Sequence, residues 1–320
     1  MLHPIFIGEG VKADNNKNKR PFKSALMQGQ KMKTTHTIIG ILVSLILGGA
    51  MLFVGSQGSL MHDGVALFAL CGAIGFILHW AIFLPSFAFQ TEHYFDLTGS
   101  ISYITTVIAA VYLNPDMDLR DLIICAMIVI WAVRLGSFLF WRIKKDGEDK
   151  RFKVMKTRFT WFLMTWTLGG LWVLMTMAAG LAAITSDTSS PLGLMAFLGM
   201  ALWVFGLTIE VMADTQKTRF RKQPENQGRF ISTGIWAWSR HPNYFGEITL
   251  WAGVALVALP VLSGWQLVTM ISPIFVYLLL TRVSGITMLE AIAEKRWGKD
   301  PEFIAYRDAT PALMLRKPRG

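Results

Sequence analysis

Eight apolar runs, each long enough to cross a bilayer as a helix, decide what this chain can fold into. They fall at about 36–56, 64–89, 98–114, 119–141, 157–184, 190–212, 244–264 and 266–288. A backbone inside lipid must satisfy its own N–H and C=O groups, and runs of this length predict helices. The composition agrees: 53% of the 320 residues are hydrophobic, only 16% are charged, and the mean hydropathy is +0.43. The expected fold class is therefore all-α, a polytopic membrane bundle of about eight transmembrane helices.

Basic residues alternate from one connection to the next. Segments 56–63, 114–118, 186–191 and 261–266 hold no Lys or Arg, whereas the N-terminal tail, 142–158, 217–240 and the stretch after Arg282 hold nearly all of them. By the positive-inside rule both termini face the cytoplasm. The net charge of +10 then reflects orientation and attraction to anionic membrane lipid, and needs no nucleic-acid partner. Cys71 and Cys125 lie inside spans, and six scattered histidines give no ligand spacing, so neither a disulfide framework nor a metal site is expected. Residues 1–35 form a polar tail, expected to be mobile and cytoplasmic and without the layout of a cleaved signal peptide, ahead of a membrane domain at 36–320.

Several polar features interrupt the apolar pattern. The string at 90–100 follows Leu84-Pro85, where the second helix should kink or loosen. If the string is helical, Glu92 and Asp96 share a face that Ser100 and Tyr103 continue. They form either an acid and donor set lining a substrate cavity or an ordinary loop paired with basic neighbours. Arg134 lies within the fourth run, where a charge is costly unless it meets a partner, and Arg142 continues its face. Gly169-Gly170 suits close helix packing.

The richest polar signal comes late in the chain. Glu210, Asp214, Lys217 and Arg221 recur at helical spacing, so two carboxylates precede two cations on one stripe. The stripe is either a salt-bridged helix extension or a polar-ligand site whose cations hold phosphate oxygens. The break at 224–228 and Arg229 follow. Next, Ser239-Arg240-His241-Pro242-Asn243-Tyr244-Phe245-Gly246-Glu247 joins polar chain to apolar helix, with Asn243 expected as the N-cap and Glu247 one turn on. Arg282 is expected to be buried. Singly, Asn243 could be only a cap and Glu247 only a charge partner of Arg240 or Arg282. Taken together with the stripe and Arg229, they point to a cofactor site.

The stretch Trp238–Glu247, with Glu210-x3-Asp214 before it and Thr281-Arg282-Val283-Ser284-Gly285 after it, resembles the bacterial membrane relatives of steroid 5-alpha-reductase. The resemblance covers about residues 84–312 and is strongest in the C-terminal third. It implies an NADPH pocket within about 205–312, opening to the cytoplasm of a bacterial inner-membrane protein. Asp214, Arg221, Arg229, Asn243, Tyr244, Glu247, Arg282, Ser284 and, from the fourth helix, Arg142 would line it. Departures fall on the substrate side: Ile82-Phe83 replace the family's Gln-Glu pair, and Trp131 stands where the steroid enzymes have a tyrosine that polarises the substrate carbonyl. Glu92, Asp96 and Tyr103 are then the candidate catalytic groups.

The implied activity is NADPH-dependent reduction of a carbonyl-conjugated double bond in a lipophilic, lipid or steroid-like small molecule. Two alternatives stay open. Isoprenylcysteine and phospholipid methyltransferases share an Arg-His-Pro-x-Tyr opening and use S-adenosylmethionine, and a lipid- or sterol-binding scaffold would keep the pocket without the chemistry.

Overall fold

The computed structural model describes residues 33–146 and 152–318, so the tail expected to be mobile lies outside the described residues, apart from its last three positions. Eight of the described helices, the last counted through an internal break, are long and apolar enough to cross a membrane. They form an all-α bundle. In chain order they are α1 (Thr34–Gly55), α2 (Leu67–Ala88), α3 (Phe95–Leu113), α4 (Leu119–Asp146), α5 (Phe159–Ile184), α6 (Leu194–Lys222) and α7 (Pro242–Ala258), followed by a composite eighth span.

The bundle is built around α5. Its apolar window is 94% buried, against 22% for α1, and it touches α1, α2, α3, α4, α7 and the eighth span. Small residues make this possible: a Cβ on Gly169 would strike the His79 ring at 2.5 Å, and one on Gly170 would strike the Phe76 backbone at 2.9 Å. The expected use of Gly169-Gly170 for close packing is what forms. α1 turns most of its apolar surface outward, with Ile46 and Phe53 exposed.

At the end of the bundle poor in basic residues, β1 (Met61–His62) and β2 (Val65–Ala66) make a hairpin. Its turn residues Asp63 and Gly64 take φ of 48° and 80°, as a type I′ turn requires. At the same end buried Arg120 donates to Val257 O (2.5 Å), Pro191 O (2.8 Å) and Ser190 O (3.3 Å), holding the start of α4 against the end of α7. Those carbonyls include one of the unpaired C=O groups at the end of α7, a site that favours a cation.

α2 runs through Pro85 and ends three residues later; the proline has no N–H, so the carbonyl one turn back lacks its usual helical donor. Two local expectations change. α3 starts at Phe95, which leaves Glu92 in the preceding loop and off the helix face it was expected to share with Asp96. The eighth span is not one continuous helix. It runs as 3-10 turns (Gly264–Ile271), α8 (Ser272–Leu278) and a π-helical turn (Leu279–Val283), breaks at Ser284-Gly285, and resumes as α9 (Ile286–Trp297). Gly285 is required at the break: a Cβ there would lie 2.1 Å from Leu280 O and 2.9 Å from the Tyr244 ring. α10 (Pro301–Ala309) follows, with Asp300 accepting from Glu302 N as its N-cap.

The pair that positions the site is α6 and α7. Gly199 faces Gly253 and Gly206 faces Gly246, two reciprocal contacts seven residues apart on antiparallel helices. A Cβ at any of the four would meet a facing backbone oxygen at 2.5–2.7 Å. The backbones therefore touch, which is how helices associate where lipid offers no hydrophobic drive.

Candidate functional site

Backbone contact at Gly206 and Gly246 brings Glu210 of α6 beside Glu247 of α7, since the missing Cβ of Gly246 would sit 2.7 Å from Glu210 N. Arg134 of α4 reaches across and donates to both Glu210 Oε1 and Asp214 Oδ2, while the Trp131 indole donates to Glu210 Oε2 at 3.3 Å. Glu247 lies within electrostatic range of Arg134 and of Tyr103. Glu210, Asp214 and Glu247 are all buried. Among the described residues Arg134 bridges Glu210 and Asp214 and lies within electrostatic range of Glu247, and hydrogen-bond donors from a ligand would suit the carboxylate oxygen left over.

Two acceptors in this cluster have no donor among the described residues. Asn243 Oδ1 and Glu247 Oε1 are buried without a hydrogen-bond partner, on residues only 3% and 4% exposed. Asn243 was expected to cap α7. It does not: His241 holds the N-cap position, Pro242 is the first helical residue, and no side chain caps the helix. With proline in the first position, Asn243 lies inside the first turn, which turns its carboxamide away from the capping role and leaves its oxygen without a donor among the described residues.

Next to the carboxylates stands an aromatic cluster. Tyr103 of α3 meets Trp131 (5.2 Å between ring centroids), Trp172 (5.1 Å) and Trp251 (5.9 Å), and Trp131 meets Trp251 at 4.9 Å. Trp251 is one turn beyond Glu247 on α7. The Tyr103 hydroxyl is buried beside Thr176 Oγ1 of α5, yet the two are not aligned for a hydrogen bond. A phenol donor and a carboxylate acceptor thus face the same region from different helices.

The other expected site residues fall in distinct places. Glu92 is buried but tied to Lys156 Nζ at 2.7 Å, and Asp96 is buried in the first turn of α3. The expected Glu92–Asp96–Tyr103 set is therefore split, with only Tyr103 inside the aromatic cluster. Tyr244 is buried, stacked on the His241 ring at 5.7 Å and against Gly285. Arg221 is exposed in the last turn of α6, and Arg229 is exposed beyond the end of that helix. Arg282 was expected to be buried and is exposed, because the π-helical turn carries it outward. Ser284 is buried, and its hydroxyl donates to Leu279 O at 3.2 Å within that turn. Arg142 lies near the end of α4, and its side chain is outside the described residues.

The remainder of the junction is structural. Arg240 donates to both oxygens of Glu290 (3.1 and 2.9 Å), to Thr310 O (2.7 Å) and to Arg307 O; His241 Nε2 meets Glu290 Oε1 at 2.7 Å. Ser239 Oγ donates to Leu313 O at 2.8 Å. The Ser-Arg-His run fastens the C-terminal segment to the mouth of the bundle, so Glu247 pairs with neither Arg240 nor Arg282. Sequence reasoning did not place Arg134, Trp172, Thr176 or Trp251 in the site. Arg134 alone carried a signal, as a charge inside an apolar run.

A family model described as "Protein of unknown function (DUF1295)" matches residues 82–310, which contain α3 to α10 and the whole cluster. The chain belongs to the DUF1295 family. This is a membrane family resembling steroid 5-alpha-reductase. A stretch of 67 residues is 33% identical to "3-oxo-5-alpha-steroid 4-dehydrogenase 1" of Bos taurus, which is 21% of this chain and 26% of that protein. The chain thus aligns with about a quarter of that relative's length. No solved structure matches the chain. Where the family resemblance had a carbonyl-polarising tyrosine, this DUF1295 member has Trp131 engaged with Glu210, and Phe83, in place of half the Gln-Glu pair, is buried among Phe87, Phe159 and Phe162.

Proposed function

We propose that this protein is a membrane-embedded, NADPH-dependent reductase that saturates a carbon–carbon double bond conjugated to a carbonyl in a lipophilic molecule. The observation that carries the reading is the meeting of two donorless buried acceptors, Asn243 Oδ1 and Glu247 Oε1, with the unpaired Tyr103 hydroxyl. The acceptors fit a ligand rich in donors, and a nicotinamide carboxamide and ribose hydroxyls carry such donors. Arg221 and Arg229, exposed at the basic end, suit its phosphates. NADPH, when bound, would supply the hydride for the β carbon.

The chain's own residues do the rest. Asn243 and Glu247 orient the donor-bearing ligand, and Arg134 fixes Glu210 and Asp214 as the wall beside it. Tyr103 donates to the carbonyl oxygen as negative charge builds there, in a place closed to water by Trp131, Trp172 and Trp251. The α carbon would then take its proton from solvent as the enol leaves the site, which balances the addition. Residues 205–312 form the nucleotide-binding part, and the distribution of Lys and Arg turns its mouth to the cytoplasm.

The test is direct. Detergent-purified protein is titrated with NADPH, NADH and S-adenosylmethionine, then assayed for nucleotide oxidation across a panel of lipophilic enones. Binding of NADPH in preference to NADH, with turnover of at least one enone, is expected. Binding of neither nicotinamide nucleotide would refute the proposal. Binding of S-adenosylmethionine instead would move the chain to methyl transfer, and nucleotide binding without turnover of any enone would leave a scaffold.

A further inference from the structure

We propose that Lys217 is a phosphate-binding residue of this site, an ammonium held out on an indole plate for an anionic oxygen that the protein itself does not provide. The inference rests on the nicotinamide-nucleotide reading above. Lys217 Nζ lies 4.0 Å from the centre of the Trp236 ring, and among the described residues it makes no hydrogen bond and no ion pair. A partly buried ammonium with three donors and only a ring face for company is an incomplete arrangement.

Its surroundings are built, not incidental. Trp236 is itself fixed: its indole donates to Ala213 O at 3.0 Å, and its carbonyl accepts from the Tyr306 hydroxyl at 2.7 Å. Ile235 N donates to Gln216 Oε1 at 3.0 Å, which seats the whole Gly234–Ala237 turn on α6. The plate therefore cannot swing away, and the lysine above it is pre-positioned. On the same face of α6, Asp214 is one turn toward the carboxylate cluster and Arg221 one turn toward the exposed end. His241, which leads into α7, lies within electrostatic range.

Asp214 acts on Lys217 at electrostatic range without forming an ion pair with it, and its Oδ2 is bonded to Arg134. Glu290 forms no ion pair with Lys217 either, since Arg240 and His241 occupy it. Lys217 and Arg221 thus form a cationic step between the donorless acceptors inside and the basic surface outside. That is where the charged middle of a dinucleotide would pass if its nicotinamide end met Asn243 and Glu247.

The experiment compares wild type with Lys217→Met, which keeps an apolar stem on Trp236, and Lys217→Arg. Affinities for NADPH, NADH and inorganic pyrophosphate are measured by tryptophan quenching at two salt concentrations. Lys217→Met should weaken NADPH by about tenfold to a hundredfold and flatten its salt dependence, as loss of one charge-assisted bond does, with an unchanged melting temperature. Lys217→Arg should retain most of the affinity. Weakening confined to NADPH assigns the contact to the 2′-phosphate, and equal weakening of NADH and pyrophosphate assigns it to the diphosphate. Unchanged NADPH affinity in a folded Lys217→Met protein overturns the assignment while leaving the reductase reading intact. Wild type that binds neither nucleotide overturns both.

Discussion

Arg134 is the residue on which the cluster turns, because it is the common partner of Glu210 and Asp214. Replacing it by Met removes the cation shared by two buried carboxylates and should cost about 3–5 kcal/mol, read as a large drop in melting temperature. Adding Glu210→Gln to that variant should recover part of the loss, and a double-mutant cycle measures the coupling. Glu247 behaves in the opposite way. Its Oε1 has no hydrogen-bond partner among the described residues, so Glu247→Gln should leave the melting temperature near wild type while weakening NADPH by about tenfold to a hundredfold, checked by titration. This contrast follows from which oxygens are already satisfied. Sequence spacing made the Glu210–Asp214 stripe and Glu247 legible. It could not show that Asn243 lies past the cap or that Arg282 is exposed, since both depend on backbone geometry around a proline and a π-helical turn.

Among the elements, α6 and α7 decide the geometry of the site. Gly206→Leu or Gly246→Val would push side chains into a facing backbone at 2.5–2.6 Å, so these variants should lose both thermal stability and nucleotide binding. Gly49→Leu, on α1 with open space around it, is the control and should change neither. The C-terminal clamp adds a pH dependence. Burial pushes the His241 imidazole below its ordinary range, although the Glu290 carboxylate pulls the other way. A histidine favoured neutral in the fold contributes stability above its unfolded value of about 6.5 and loses it as pH falls below that. Wild type should therefore lose more melting temperature between pH 8 and 5.5 than His241→Asn does. The clamp and the glycine contacts were invisible in the sequence because they join positions far apart in the chain, whereas the spans showed in local composition alone.

At the scale of the whole molecule, one buried helix, α5, is ringed by every other span except α6, and the even number of spans among the described residues returns the chain to the side where they began. The excess of Lys and Arg there predicts that Lys299→Cys is labelled from the cytoplasm and Asp63→Cys, in the hairpin turn, from the opposite side. Cys71 and Cys125 are buried and should not interfere with impermeant reagents applied to intact cells and to inverted vesicles. The eight-helix plan was legible because bilayer thickness sets the length of every run. The composite last span was not, because a break at Ser284-Gly285 keeps the same apolar composition on either side. The bridge from Arg134 to Glu210 has one more consequence. Its partners are 76 residues apart and enter the membrane at different times during synthesis. When α4 emerges from the ribosome its arginine has no counter-charge, so it must wait at the lipid headgroups or within the insertion machinery until α6 is made. The order of translation thus delays the pairing of α4 with α6, and the site is complete only once α7 brings Asn243 and Glu247 against them.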